Sequence, residues 1–273
     1  MATTTSPDSK KPDLKILMLH GFTQSGDTFH AKTRALEKYI RKLLPTYTLH
    51  FSYPSGPHHL NLAEMPYVDK ANLPPRPEEA DTWAWWRKDD DTQEYRGLDG
   101  GFARIAETLR TEGPFAGVIG FSQGAAAATM VASLLEPKRK EAFKKKEKEQ
   151  GGIPYPASFD ALEHPELQFC VAYSGFAAPQ SMYEGFYNPR ISTPTLHVLG
   201  SLDTLVGEER SRTLMERCDH ARSLIHPGGH FVPSQRTYLD GVGTFIQDCL
   251  NGNGKKTNES DWEDDVGDMN VPF

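Results

Sequence analysis

The chain has 273 residues, 37% of them hydrophobic and 25% charged, with a formal net charge of −7. Those proportions describe a globular protein, long enough for one large core and by length alone for one domain or two, and the acidic balance excludes nucleic acid as a partner, since that would require a basic surface. The three cysteines, Cys170, Cys218 and Cys249, show neither C-x-x-C spacing nor histidines at zinc intervals, so no metal or disulfide framework is expected.

Residues 1–12 are polar, carry two prolines and read as disordered. They lack the apolar core of a secretory signal, and no segment approaches the roughly 18 apolar residues of a membrane span, which makes the cytoplasm the expected location. Residues 15–19 are a continuous apolar run, as expected of a strand covered on both faces. His20-Gly21-Phe22-Thr23-Gln24-Ser25-Gly26 follows. A glycine-bearing loop at a strand end can turn backbone N–H groups toward a ligand, and the N–H of Phe22 is the candidate oxyanion donor; His20 is read as a brace for the loop.

Asp27 is expected to cap a helix over 27–44, in which Phe29, Leu36, Ile40, Leu43 and Leu44 share one face. Residues 49–53 form a second strand. From 54 to 96 the periodicity fails, prolines crowd the segment, and three of the four tryptophans fall within four residues. Trp83, Trp85 and Trp86 are therefore candidates for the wall of an apolar pocket as well as for ordinary packing, and 54–96 is an irregular pocket or lid segment. A helix resumes at 98–109.

The central motif is Gly120-Phe121-Ser122-Gln123-Gly124. An apolar strand runs into it and an alanine-rich helix opens behind it, so Ser122 stands at the apex of a sharp strand-to-helix turn. The residues two before and two after the serine must be small at such a turn. The N–H of Gln123, at the positive end of the helix, then faces the same space as the hydroxyl. The G-x-S-x-G string by itself is only suggestive; its setting between strand and helix marks Ser122 as a nucleophile.

Residues 137–150 carry seven Lys or Arg against three Glu, which reads as a solvated helix or flexible excursion within a charged segment at 137–168. Strands follow at 169–173, ending in Ser174-Gly175-Phe176, then at 195–200 and 223–226. Asp203 lies just past the second of these and His230 just past the third. Ser234 is expected to cap a closing helix. Residues 251–273 hold two Lys against six acids and read as a disordered acidic tail.

Alternating strands and helices imply a mainly parallel central sheet with helices on both faces, where ligands sit outside the C-terminal strand ends. Ser122, Asp203 and His230 all fall at that edge. A serine hydroxyl needs a base to take its proton, which His230 can do while Asp203 accepts its other ring N–H; Phe22 and Gln123 would hold the oxyanion. The chemistry calls for no cofactor. Asp219 and Asp99 rival Asp203, and His226 rivals His230. Asp219 faces the wrong strand edge, Asp99 fits a helix cap, and His226 ends its strand rather than occupying the loop beyond.

Leu19-His20-Gly21-Phe22, Gln24-Ser25-Gly26, Gly120-Phe121-Ser122-Gln123-Gly124-Ala125, Gly200-Ser201-Leu202-Asp203 and Gly228-Gly229-His230 together resemble the FSH-type family of serine hydrolases, small fungal and animal esterases of the α/β-hydrolase superfamily. The resemblance implies a single α/β-hydrolase domain over 13–250 with Ser122, Asp203 and His230 as triad. It also implies a small-molecule ester or thioester substrate of short to medium acyl length, in some fungal relatives offered by an acyl-carrier domain in secondary metabolism. Trp83, Trp85, Trp86 and Phe176 are the pocket candidates. A hydrolase-fold receptor or interaction protein without turnover is the alternative, and its hallmark would be a lost triad member.

Overall fold

Strands apolar on both sides must be covered on both sides, and this requirement sets the architecture. The computed structural model describes residues 11–65 and 68–255. Its elements, in chain order, begin with β1 (Asp13–Leu19), α1 (Gly26–Leu43) and β2 (Thr48–Ser52). Then come α2 (Leu98–Glu112), β3 (Gly117–Phe121), α3 (Gln123–Leu134), α4 (Arg139–Gln150) and β4 (Phe169–Tyr173). The last are β5 (Thr195–Gly200), α5 (Glu208–Met215), β6 (Ala221–His226) and α6 (Arg236–Leu250). The six strands form one parallel sheet in the order β6-β5-β4-β3-β1-β2.

One apolar layer joins α1 and α6 to the sheet through residues such as Phe29, Ile40, Val242 and Phe245. The other joins α2, α3 and α4 through Phe102, Ile105, Met130 and Phe143. The fold is therefore an α/β sheet with helices on both faces. Strand order reverses between β1 and β3, since the chain leaves β1 for β2 on one side and returns to β3 on the other. The crevice at that reversal is where open α/β sheets bind ligands.

Several expectations change in detail. The cap of α1 is Ser25, whose Oγ accepts from Thr28 N–H at 3.1 Å, and Asp27 lies in the first turn instead. The closing helix is preceded by Gln235 rather than Ser234 and has no side-chain cap. The charged run is a helix, but one anchored in the core: Phe143 is fully buried and Arg139 is 2% exposed. Arg139 meets the carboxylate of Glu136 at 2.5 Å, and Glu136 Oε1 also accepts from the N–H groups of Ser192 and Thr193. Its lysine-rich remainder faces water. The residues 1–10 of the expected N-terminal segment and 256–273 of the expected tail lie outside the described residues.

The segment 54–96 holds short 3₁₀ turns and two-residue strand pairs, His58–His59 with Trp83–Ala84 and Arg87–Lys88 with Tyr95–Arg96. It is tied to the sheet edge by backbone bonds between Trp83 and the loop after β1, Thr23 N–H to Trp83 O at 3.0 Å and Trp83 N–H to Gln24 O at 3.1 Å. That tie places the tryptophan segment beside Ser122.

Candidate active site

Ser122 links β3 to α3 at φ 54° and ψ −117°. A non-glycine residue held there carries strain of about 1–3 kcal/mol, sustained only where the surroundings enforce it. Its N–H donates to Tyr173 O at 2.8 Å, pinning the turn to β4. A Cβ on Gly120 would lie 2.1 Å from Gly124 O, which explains the need for glycine before the turn. Gly124 is small for a different reason: a Cβ there would lie 2.1 Å from Leu19 O, so α3 rests directly on the end of β1.

The loop after β6 carries His230 over this turn. Its Nε2 lies 2.9 Å from Ser122 Oγ and its Nδ1 lies 2.7 Å from Asp203 Oδ2. A carboxylate can only accept, so Nδ1 carries the proton and Nε2 is left as the acceptor facing the serine hydroxyl. The ring packs 4.7 Å from that of Phe121.

Asp203 is fixed on every side. Oδ1 accepts from Leu205 N–H at 3.0 Å and Val206 N–H at 2.9 Å, while Oδ2 accepts from Ser174 Oγ at 2.8 Å as well as from His230. Burial alone would raise its carboxyl, but the bonds from Val206, His230 and Ser174 hold it below the usual carboxylate value. Ser174 was visible in the sequence only as a polar residue after an apolar strand, and its part was missed.

Gln123 opens α3, where first-turn N–H groups lack intrahelical partners and the helix dipole is positive. Phe22 follows β1 across the crevice, and both residues line the cavity with Ser122. The Gln123 side chain has a role that the sequence did not reveal. Its Oε1 accepts from Trp85 N–H and its Nε2 donates to Trp86 O, each at 2.9 Å, locking the tryptophan segment to the nucleophile helix.

His20 braces its loop. Nδ1 lies 2.8 Å from Gly21 O and Nε2 accepts from Gly56 N–H at 2.9 Å, an arrangement that requires the neutral ring; burial pushes its pKa down to about 4. Of the rivals, His226 packs against Phe231 and Tyr238. Asp99 lies in the first turn of α2, and Asp219 precedes β6, away from the edge where Ser122 stands.

A cavity of about 910 Å³ opens beside Ser122 and His230, with Phe29, Phe121, Trp86, Phe176 and Val206 in its apolar wall. Trp83 and Trp85 are not part of that wall. Trp85 is fully buried against His20, its Nε1–H donating to His20 O at 2.9 Å, and Trp83 turns outward, donating to Asp81. Among the described residues no group of three or more His, Cys, Asp or Glu side chains is arranged to hold a metal ion.

The family profile described as Serine hydrolase (FSH1) matches residues 9–242. This chain belongs to the FSH1 serine hydrolase family. Among its relatives, this FSH1-family member is 30% identical to Esterase OVCA2 of Danio rerio, over 85% of this chain and 97% of that protein. It is 32% identical to Family of serine hydrolases 2 of Saccharomyces cerevisiae, over 85% of this chain and 97% of that one. It is also 36% identical to a Schizosaccharomyces pombe protein named Dihydrofolate reductase, matching 85% of this chain and 47% of the relative, so the chain spans about half of that protein's length. In structure it is similar to Zea mays acyl-protein thioesterase 2, with a TM-score of 0.56 at 20% identity, covering 90% of this chain and 97% of that one. At that identity the likeness speaks for the α/β-hydrolase fold alone.

Proposed function

We propose that this FSH1-family hydrolase cleaves carboxylic esters or thioesters of short to medium acyl chains through an acyl-enzyme on Ser122. The observation that carries the reading is the unbroken relay from Asp203 through His230 to the Ser122 hydroxyl, with contacts of 2.7 and 2.9 Å. In this reading His230 Nε2 takes the serine proton as Oγ attacks the acyl carbon, and Asp203 stabilises the imidazolium. The N–H groups of Phe22 and Gln123 hold the oxyanion, where losing one donor costs about 3 kcal/mol. The imidazolium then protonates the departing alkoxide or thiolate. Water, activated by the same ring, releases the acid.

The apolar wall of Phe29, Phe121, Trp86, Phe176 and Val206 supports an acyl occupant. A receptor without turnover has less support, because all three members of the relay are present and in register. A cytoplasmic location is part of the same reading: Cys170, Cys218 and Cys249 are buried and unpaired, and no described helix is long and apolar enough to cross a membrane. Steady-state hydrolysis of p-nitrophenyl esters from acetate to palmitate tests the proposal. We expect a maximum at one chain length in the native protein and loss of turnover in Ser122→Ala with the fold retained; turnover that survives the substitution overturns the role of Ser122.

A further inference from the structure

The cavity carries a charge pattern that hydrolysis of a neutral ester does not require. Its wall contains four cationic side chains, Lys32, Arg87, Lys88 and Arg210, against one carboxylate, Asp90, in a chain whose formal net charge is −7. None of the four forms an ion pair among the described residues. Two neighbouring acids are engaged elsewhere: Glu208 pairs with Arg212, and the buried Asp89 pairs with Arg96.

Two of these cations are placed beside the aromatic wall. Arg210 lies 4.5 Å above the centre of the Phe176 ring and donates from Nη1 to Leu205 O at 3.2 Å, which holds the guanidinium while engaging one of its five N–H donors. Lys88 is opposite Tyr95 in a two-residue strand pair, and Tyr95 stacks on Trp86 at 4.9 Å. Arg87 gives its Nη2 to His59 O at 3.0 Å; of the four cations, Lys88 and Arg210 are the two set against the aromatic wall, opposite Tyr95 and over Phe176. Four cations against one carboxylate leave the wall with an excess of positive charge, and a bound anion relieves the repulsion among like charges. Here they line an apolar cavity beside the serine.

We propose that the substrate is an acyl ester or thioester carrying an anionic group, a carboxylate or phosphate, which Lys88 and Arg210 receive at the aromatic end of the cavity. The inference rests on the acyl-enzyme reading and narrows its substrate class. Charge-assisted bonds to such a group set specificity among esters, while the acyl transfer itself proceeds as described.

The test compares kcat/KM for matched esters. In one arm the charge is on the acyl half, mono-p-nitrophenyl glutarate against p-nitrophenyl pentanoate. In the other it is on the leaving group, 3-carboxyphenyl pentanoate against phenyl pentanoate. Each anionic-to-neutral ratio is measured in the native protein, in the double variant Lys88→Gln with Arg210→Gln, and in Lys88→Arg. We expect the ratio in at least one arm to fall about tenfold in the double variant, to persist in Lys88→Arg and to shrink at raised salt. Ratios that are the same in native and double-variant protein in both arms, with the neutral esters still turned over, overturn this proposal alone. Absence of turnover for every ester, together with no labelling of Ser122 by a fluorophosphonate, overturns the acyl-enzyme reading and this proposal with it.

Discussion

The Ser174 hydroxyl donates to Asp203 Oδ2 at 2.8 Å, the same oxygen that receives His230 Nδ1 at 2.7 Å. Ser174 therefore orients the carboxylate through which the histidine is held. Ser174→Ala is expected to lower kcat about 5–10-fold with little change in KM, because the lost bond acts on imidazole orientation and not on substrate. Steady-state kinetics on one ester separates the two constants.

Replacing the acceptor itself is more severe. Asp203→Asn keeps the shape but presents an amide to Nδ1, favouring the wrong tautomer of His230, and kcat is expected to fall about 10³–10⁴-fold. The measurement is the same assay, with circular dichroism to establish that the variant is folded.

Gln123 joins the nucleophile helix to the tryptophan segment by paired bonds of 2.9 Å. Gln123→Ala leaves the buried Trp85 N–H and Trp86 C=O without partners, at a cost of about 2–4 kcal/mol. Urea denaturation at neutral pH reads that loss as a lower midpoint.

His20 gives the stability a definite pH dependence. Its pKa falls from 6.5 to about 4 on folding, so the unfolded chain binds the extra proton between those values. The contribution of the neutral ring is present in full above pH 6.5 and is lost as pH drops through about 4, amounting to about 3 kcal/mol. Protonation also places an N–H against Gly56 N–H, where Nε2 now accepts. Urea midpoints from pH 7.5 to 4 should fall in the native protein, and less steeply in His20→Asn.

In the charged helix α4, position decides the effect of losing a cation. Arg139→Met strands the buried Glu136 carboxylate and is expected to cost about 3–5 kcal/mol. Lys144→Gln and Lys148→Gln, on the exposed face, should stay within about 0.5 kcal/mol. Denaturation midpoints of the three variants make the comparison.

The triad candidates were legible because a parallel sheet brings every strand's C-terminal end to one edge, so a serine, an aspartate and a histidine each standing just after an apolar run are brought together by topology. Strands 169–173 and 195–200, buried along their whole length, were readable to the residue. The outermost strand was less so: β6 begins at Ala221, and its half-exposed, mixed sequence hides its start. Composition also concealed Phe143 and Arg139, since one phenylalanine and one arginine among lysines give no sign of which side of the helix is covered. The tryptophans misled for a similar reason: nearness in sequence does not place side chains on one wall, and only Trp86 reaches the cavity. Ser174 and the Gln123 side chain act through contacts across 29 and about 38 positions of chain, which no local pattern encodes.

The central claim is that Ser122 is the activated nucleophile of the site. Intact-mass and peptide-mapping mass spectrometry after exposure to a fluorophosphonate tests it most directly. The account predicts one adduct, on the peptide containing Ser122, absent from Ser122→Ala and slowed in His230→Ala. An adduct on another residue, or labelling that persists in Ser122→Ala, would contradict it.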